Sequence, residues 1–178
     1  MKTHKGMRPQ DIVVLLKIFS LGEAEWLNKD LSKDLYISQS EISESLSRSM
    51  YAGLIGIDKK TIQKTAVFGF LVYGIRYMFP VQAGTLAKGI PTGATAPILR
   101  DDFPNENTLV WPDPKMETRG LLIEPLYPKV VEAVKLDPML YDLLALVDNF
   151  RVGNEKEIAR AKELLGNIFG QGEDYISC

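Results

Sequence analysis

The chain has 178 residues, 46% of them hydrophobic and 25% charged, and a net charge of −2. That length is enough to bury a core in one domain, or in a small domain with an appendage, and the composition is that of an ordinary soluble globular protein. The near-neutral balance excludes a protein that coats nucleic acid indiscriminately, but the charge is unevenly placed: residues 1–80 hold 11 Lys and Arg against 8 Asp and Glu, and residues 81–178 hold 10 against 15.

A single cysteine, Cys178, allows no intrachain disulfide. Lys2 and Lys5 lead into Gly6, Arg8, Pro9 and Asp11 rather than an apolar run, so no secretory signal is expected. The longest apolar stretch, residues 66–75, is interrupted by Gly69 and Gly74 and falls short of the roughly 20 residues a membrane span needs. These features predict a reducing, cytoplasmic setting.

In chain order, Pro9 suits the first turn of a helix whose core stripe is Ile12, Leu15, Leu16 and Phe19, with Gly22 past its end. Trp26 is expected to pack against that helix. From Leu27 the chain reads as a second, short helix followed by a three-residue turn. A third helix then starts at Ser38, whose hydroxyl can accept from an early backbone N–H while Glu41 reaches back as a capping box. Ile42, Leu46 and Met50 recur every four residues as its buried stripe. Its other face carries Gln39, Ser40, Ser43, Glu44, Ser47 and Arg48, side chains of the kinds that hydrogen-bond to phosphate oxygens and base edges. Gly53 fits the helix C-terminus.

The pattern over residues 31–55, LSKDLYISQSEISESLSRSMYAGLI, resembles the helix-turn-helix of bacterial winged-helix transcriptional regulators of the MarR-like group. The likeness is close over about 25 residues and loose over roughly 60. It implies a mainly α fold with a small β component, namely a winged helix-turn-helix at residues 1–80. It also implies a homodimer on double-stranded DNA, with the helix of residues 38–52 in the major groove. Gln39, Ser40 and Ser43 would then read bases, while Ser38 and Glu44 lie beside them. Ser47, Arg48 and the lysines at 59, 60 and 64 would hold phosphates, the lysines from a short wing that starts at Gly56. No effector molecule is indicated. The chain departs from this group after Ile55, where residues 63–74 read as helical.

Residues 61–73 are apolar on most sides and predict the most buried element. Residues 77–80 read as a short strand closed by Pro80. Together with residues 84–94 they resemble a segment of uncharacterised bacterial winged-helix proteins. Residues 81–127 carry most of the prolines, and short strands are expected there at residues 109–111 and 121–123. Beyond them a C-terminal helical hairpin is predicted over residues 128–170, packed on the same core. Asp137-Pro138 caps its first long helix and Asn154 caps the last, residues 155–169. Residues 171–178 are expected to be loose.

Catalytic chemistry finds little support. The sole histidine, His4, lies near the start of the chain. With one histidine and one cysteine the chain lacks the ligands for finger or ribbon zinc sites and for a Cys-His or Ser-His dyad on a rigid scaffold. Gly84 and Gly89 have phosphate-loop spacing, but Ile90-Pro91 stands where Lys-Ser/Thr is required. Asp101, Asp102 and Glu106 have no recognised metal-loop form. The expectation is therefore a DNA-binding protein, not an enzyme, without metal or cofactor. The alternative is a winged-helix protein-interaction module, favoured by the carboxylates Glu41 and Glu44 on the third helix.

Overall fold

The computed structural model describes residues 6–104 and 107–170. The described residues are mainly helical with one small three-stranded sheet. They divide into two compact units: the described residues up to 67 with 126–140, and the described residues of 68–125 with those from 141 onward. Among the described residues no helix is long and apolar enough to cross a membrane.

The first unit is built on α1 (Pro9–Ser20), α2 (Asn28–Leu35) and α3 (Gln39–Tyr51). Residues 11–18 of α1 are all buried, and α3 packs against both α1 and α2. The Asp11 carboxylate accepts from the Arg8 backbone N–H at 2.8 Å and so closes the N-terminus of α1. α2 ends on Tyr36, whose backbone is left-handed (φ 57), an uncommon state for a residue with a large side chain. The Tyr127 hydroxyl donates to the Tyr36 carbonyl at 2.9 Å and holds this turn in place. α3 ends at Gly53, where φ is +75.

After α3 the chain forms one antiparallel bridge, Ile55 to Ile62, around a tight turn. The Gly56 N–H donates to the Thr61 carbonyl at 2.8 Å. Asp58 Oδ1 accepts from the backbone N–H groups of Lys60 and Thr61, both at 3.0 Å, and Oδ2 accepts from the Thr61 hydroxyl. A further short helix, α6 (Val130–Ala133), packs on α2. Asp137 accepts from the Leu140 N–H at 2.9 Å, as expected of a cap.

The second unit takes up the end of α4 (Lys64–Gly69), a π-turn (Phe70–Gly74) and α5 (Ile75–Met78). Two expectations are corrected here. Residues 77–80 are not a strand: the buried sequence Phe68, Leu71, Ile75 keeps helical spacing through Met78, and Pro80 then stops the helix by constraining Phe79. Residues 61–73 are not the most buried element, since Lys64, Thr65, Ala66 and Tyr73 are exposed while residues 11–18 of α1 are all covered. The Phe70 ring lies against Gly74, where a Cβ would come within 3.2 Å of it.

Strands β1 (Leu86–Thr92), β2 (Leu109–Pro112) and β3 (Arg119–Leu122) close on one another. The first half of β1 pairs antiparallel with β3, its second half pairs antiparallel with β2, and β2 and β3 pair parallel. β2 and β3 fall close to the predicted strands. β1 was not predicted, because Gly89 and Pro91 mark a loop by local rules. Gly89 is required by close approach: a Cβ there would fall onto the Trp111 carbonyl oxygen.

α8 (Glu155–Phe169) follows the expected bounds and α7 (Pro138–Val152) runs two residues past its expected end at Phe150, and Asn154 Oδ1 accepts from the N–H groups of Lys156 and Glu157 at 3.0 and 3.1 Å. The division of the chain differs from the predicted one. α8 and the part of α7 from Tyr141 onward belong to the unit that contains the sheet, while residues 126–140 join the first unit. The predicted tail at residues 171–178 lies outside the described residues, as does His4.

Candidate functional site

The outer face of α3 gathers most of the polar side chains singled out from the sequence. Ser38 is the N-cap, and its hydroxyl accepts from the Glu41 N–H at 3.2 Å and lies 3.1 Å from the Ser40 hydroxyl. The reciprocal half of the expected capping box does not form, because the Glu41 carboxylate turns toward Arg8, Gln10 and Arg48. Gln39, Ser40, Ser43 and Glu44 are exposed, while Ser47 is half-buried. The inward face is Ile42, Ser45, Leu46 and Ser49. Among the described residues the hydroxyls of Ser45 and Ser49 are buried without a hydrogen-bond partner.

Arg48 does not point where the sequence reading placed it. The residue is 4% exposed. Its Nε donates to Asp11 Oδ2 at 2.8 Å and its Nη2 to Asp11 Oδ1 at 2.7 Å, a two-point fork, and Nη2 also donates to Glu41. These carboxylates raise the guanidinium's pKa further above its ordinary value, Asp11 contributing most, so the charge is permanent. The side chain is thus turned inward onto α1 instead of outward toward a phosphate.

The turn after Ile55 stands beside this face. Lys59, in the left-handed region (φ 55), donates from Nζ to the Ser47 hydroxyl at 2.9 Å, and Ser47 in turn donates to the Ser43 carbonyl at 2.9 Å. The Lys60 ammonium sits 5.3 Å from the centre of the Trp26 ring and 3.4 Å from the Trp26 carbonyl oxygen. Trp26 is buried, as expected of a packing residue, yet it also carries this lysine. Trp26, Leu27, Asn28, Ser43, Leu46 and residues 58–60 line a cleft of about 260 Å³. It brings together Ser43, Lys59 and Lys60. Lys64 lies apart from these lining residues, its ammonium 5.6 Å from the centre of the Phe19 ring.

The negative charge nearest the lysines is held by its own turn. The Thr61 hydroxyl, followed by the Lys60 and Thr61 N–H groups, pulls the Asp58 carboxyl down to about 2. Both of its oxygens therefore accept from the turn.

In the second unit lies a buried polar cluster that the sequence reading missed. Asp148 accepts from the Thr92 hydroxyl at 2.8 Å, the Trp111 indole N–H at 2.7 Å and Arg151 Nη1 at 2.8 Å. Burial raises the Asp148 carboxyl despite these donors. Arg151 also donates to the carbonyls of Phe79 and Glu124, at 2.9 and 3.2 Å. The cluster ties β1, β2 and α7 together. Its sequence signal was an Asp and an Arg three apart in a largely apolar helix. Of the acidic loop residues, Asp102 accepts from Arg160 at 3.0 Å and Asp101 lies 3.5 Å from Arg100, while Glu106 falls outside the described residues. Among the described residues no three His, Cys, Asp or Glu side chains are placed to hold a metal ion. No protein-family model, curated protein or solved structure matches the chain.

Proposed function

We propose that this chain is a sequence-specific DNA-binding protein, a cytoplasmic transcriptional regulator that presents α3 to the major groove. One observation carries the reading. The first turns of α3 expose Gln39, Ser40, Ser43 and Glu44 in a single row directly after a three-residue turn, with Lys59 and Lys60 alongside. Short hydroxyl and amide side chains at the start of a helix suit base edges, and Gln39 suits bidentate reading of adenine. Lys59 and Lys60 serve the phosphates, with Ser47 as the hydroxyl that steadies Lys59. The lone Ile55–Ile62 bridge supports a winged helix with a very short wing, in keeping with the resemblance to MarR-like regulators. One such helix with two lysines binds weakly, so the reading requires a homodimer on half-sites about one helical turn apart.

Selection of bound fragments from random duplex DNA tests this. The expected result is an enriched, palindromic motif whose binding weakens in Gln39→Ala. No binding at low salt by a dimeric sample would overturn the proposal.

A second reading, a protein-interaction module, is favoured by two apolar side chains near this face. Ile57 is 94% exposed at the turn and Tyr51 77% exposed at the end of α3. It predicts that Ile57→Ser abolishes capture of a partner protein and leaves duplex binding unchanged.

A further inference from the structure

α3 is fastened to α1 at two points along its length. In its first turn Glu41 Oε1 accepts from Gln10 Nε2 at 2.7 Å and Arg8 Nη1 at 3.3 Å. Seven residues on, about 10 Å along the axis, Arg48 forks onto Asp11. Asp11 is itself held by the Arg8 N–H, and Arg48 also reaches Glu41, so the two attachments form one network. Glu41 and Arg48, seven residues apart on α3, thus converge on one cluster at the start of α1, and restraint from two positions along a helix opposes both its tilt and its rotation about its own axis. The direction in which Gln39, Ser40 and Ser43 point is set by those two quantities.

Stability alone does not account for this arrangement. The Arg48 side chain is 3% exposed and that of Asp11 is fully covered, and a well-packed apolar pair commonly serves a fold as well as or better than a buried ion pair. What the fork supplies and an apolar pair does not is a defined orientation. We infer that Arg48 is a positioning residue: acting through Asp11 and Glu41, it sets the pose of the outer row of α3 and thereby governs which base pairs are discriminated, without itself touching DNA. The statement about pose stands on the geometry of the network; the statement about discrimination rests on the DNA-binding reading.

The test uses the full chain and the double variant Asp11→Leu/Arg48→Met, in which no charge is left buried alone. Three quantities are measured: stability to urea, the α1–α3 angle from residual dipolar couplings, and affinities for the selected duplex and a scrambled one. The double variant is expected to match or exceed the parent in stability while the helix angle shifts. The ratio of selected to scrambled affinity should fall about tenfold, with scrambled affinity changed by less than about twofold. A stable double variant with unchanged angle and unchanged ratio overturns the inference. Should the double variant fail to fold, Arg48→Lys, which keeps the charge and loses the fork, is compared in the same way, and an unchanged angle and ratio there overturns it. If the parent binds no duplex, the DNA-binding reading fails, and the couplings alone decide: a shifted angle upholds the positioning role and an unshifted one removes it.

Discussion

At the residue scale, the contrast between Asp11 and Gln39 separates what holds α3 from what α3 displays. Asp11→Ala leaves the Arg48 charge buried without its main partner, and is expected to cost about 3–5 kcal/mol in urea unfolding. Gln39→Ala, on the exposed row, should change stability by less than about 0.5 kcal/mol. Under the proposed DNA-binding function its effect falls on duplex affinity instead. Asp58 makes a pH prediction. Its carboxyl is held at about 2, below the ordinary value of 3.8, so the turn at residues 56–61 is supported by the ionised form. A carboxylate lowered in the folded state stabilises it fully above its unfolded pKa and loses that contribution as pH falls through the folded value. The Thr61 amide resonance should therefore hold its position down to about pH 3 and move with a midpoint near 2; a midpoint near 4 would show that the turn does not engage the carboxylate.

At the element scale, the helix ends and strands β2 and β3 were legible and β1 was not. Ser38, Asp137 and Asn154 each cap with an N–H two or three residues away, so a short window of sequence contains both partners. Asn154→Ala should accordingly cost about 1 kcal/mol, measured by thermal unfolding. β1 has no such local signature. Its two halves are paired by strands separated from it by long connections, and its glycine is chosen by the carbonyl that crosses it. Gly89→Ala should cost about 3 kcal/mol or more, because the added carbon meets backbone that cannot move without breaking the β1–β2 register. Retention of the parent's melting temperature in this variant would show that the pairing is looser than described. The helix over residues 64–78 was misjudged for a related reason. Residues 61–73, apolar on most sides, were expected to be the most buried element, yet Tyr73 is exposed and the Lys162 ammonium lies 5.3 Å from the centre of its ring.

At the scale of the whole molecule, the excess of basic residues in the first 80 positions overstated the cations at the candidate site. Arg48 is consumed internally, and Lys64 sits over Phe19, which leaves Lys59 and Lys60 beside α3. The proposed dimer would then engage about four phosphates through lysines, giving a salt dependence with a logarithmic slope of about −4. A slope near −8 or steeper, from titrations between low and moderate salt, would require cations from elsewhere in the chain.

The sequence by itself determined the long helices α1, α3, α7 and α8, the N-caps at Ser38, Asp137 and Asn154, the three-residue turn before α3 and the outward row of Gln39, Ser40, Ser43 and Glu44, since each depends on residues within a few positions of one another. Only the tertiary structure decided that Arg48 faces Asp11, 37 positions away, that Asp148 gathers Thr92, Trp111 and Arg151, and that three short strands close on themselves. The physical reason is that a charge goes where burial and a partner make it most stable. That partner is chosen by packing, which the local pattern does not contain.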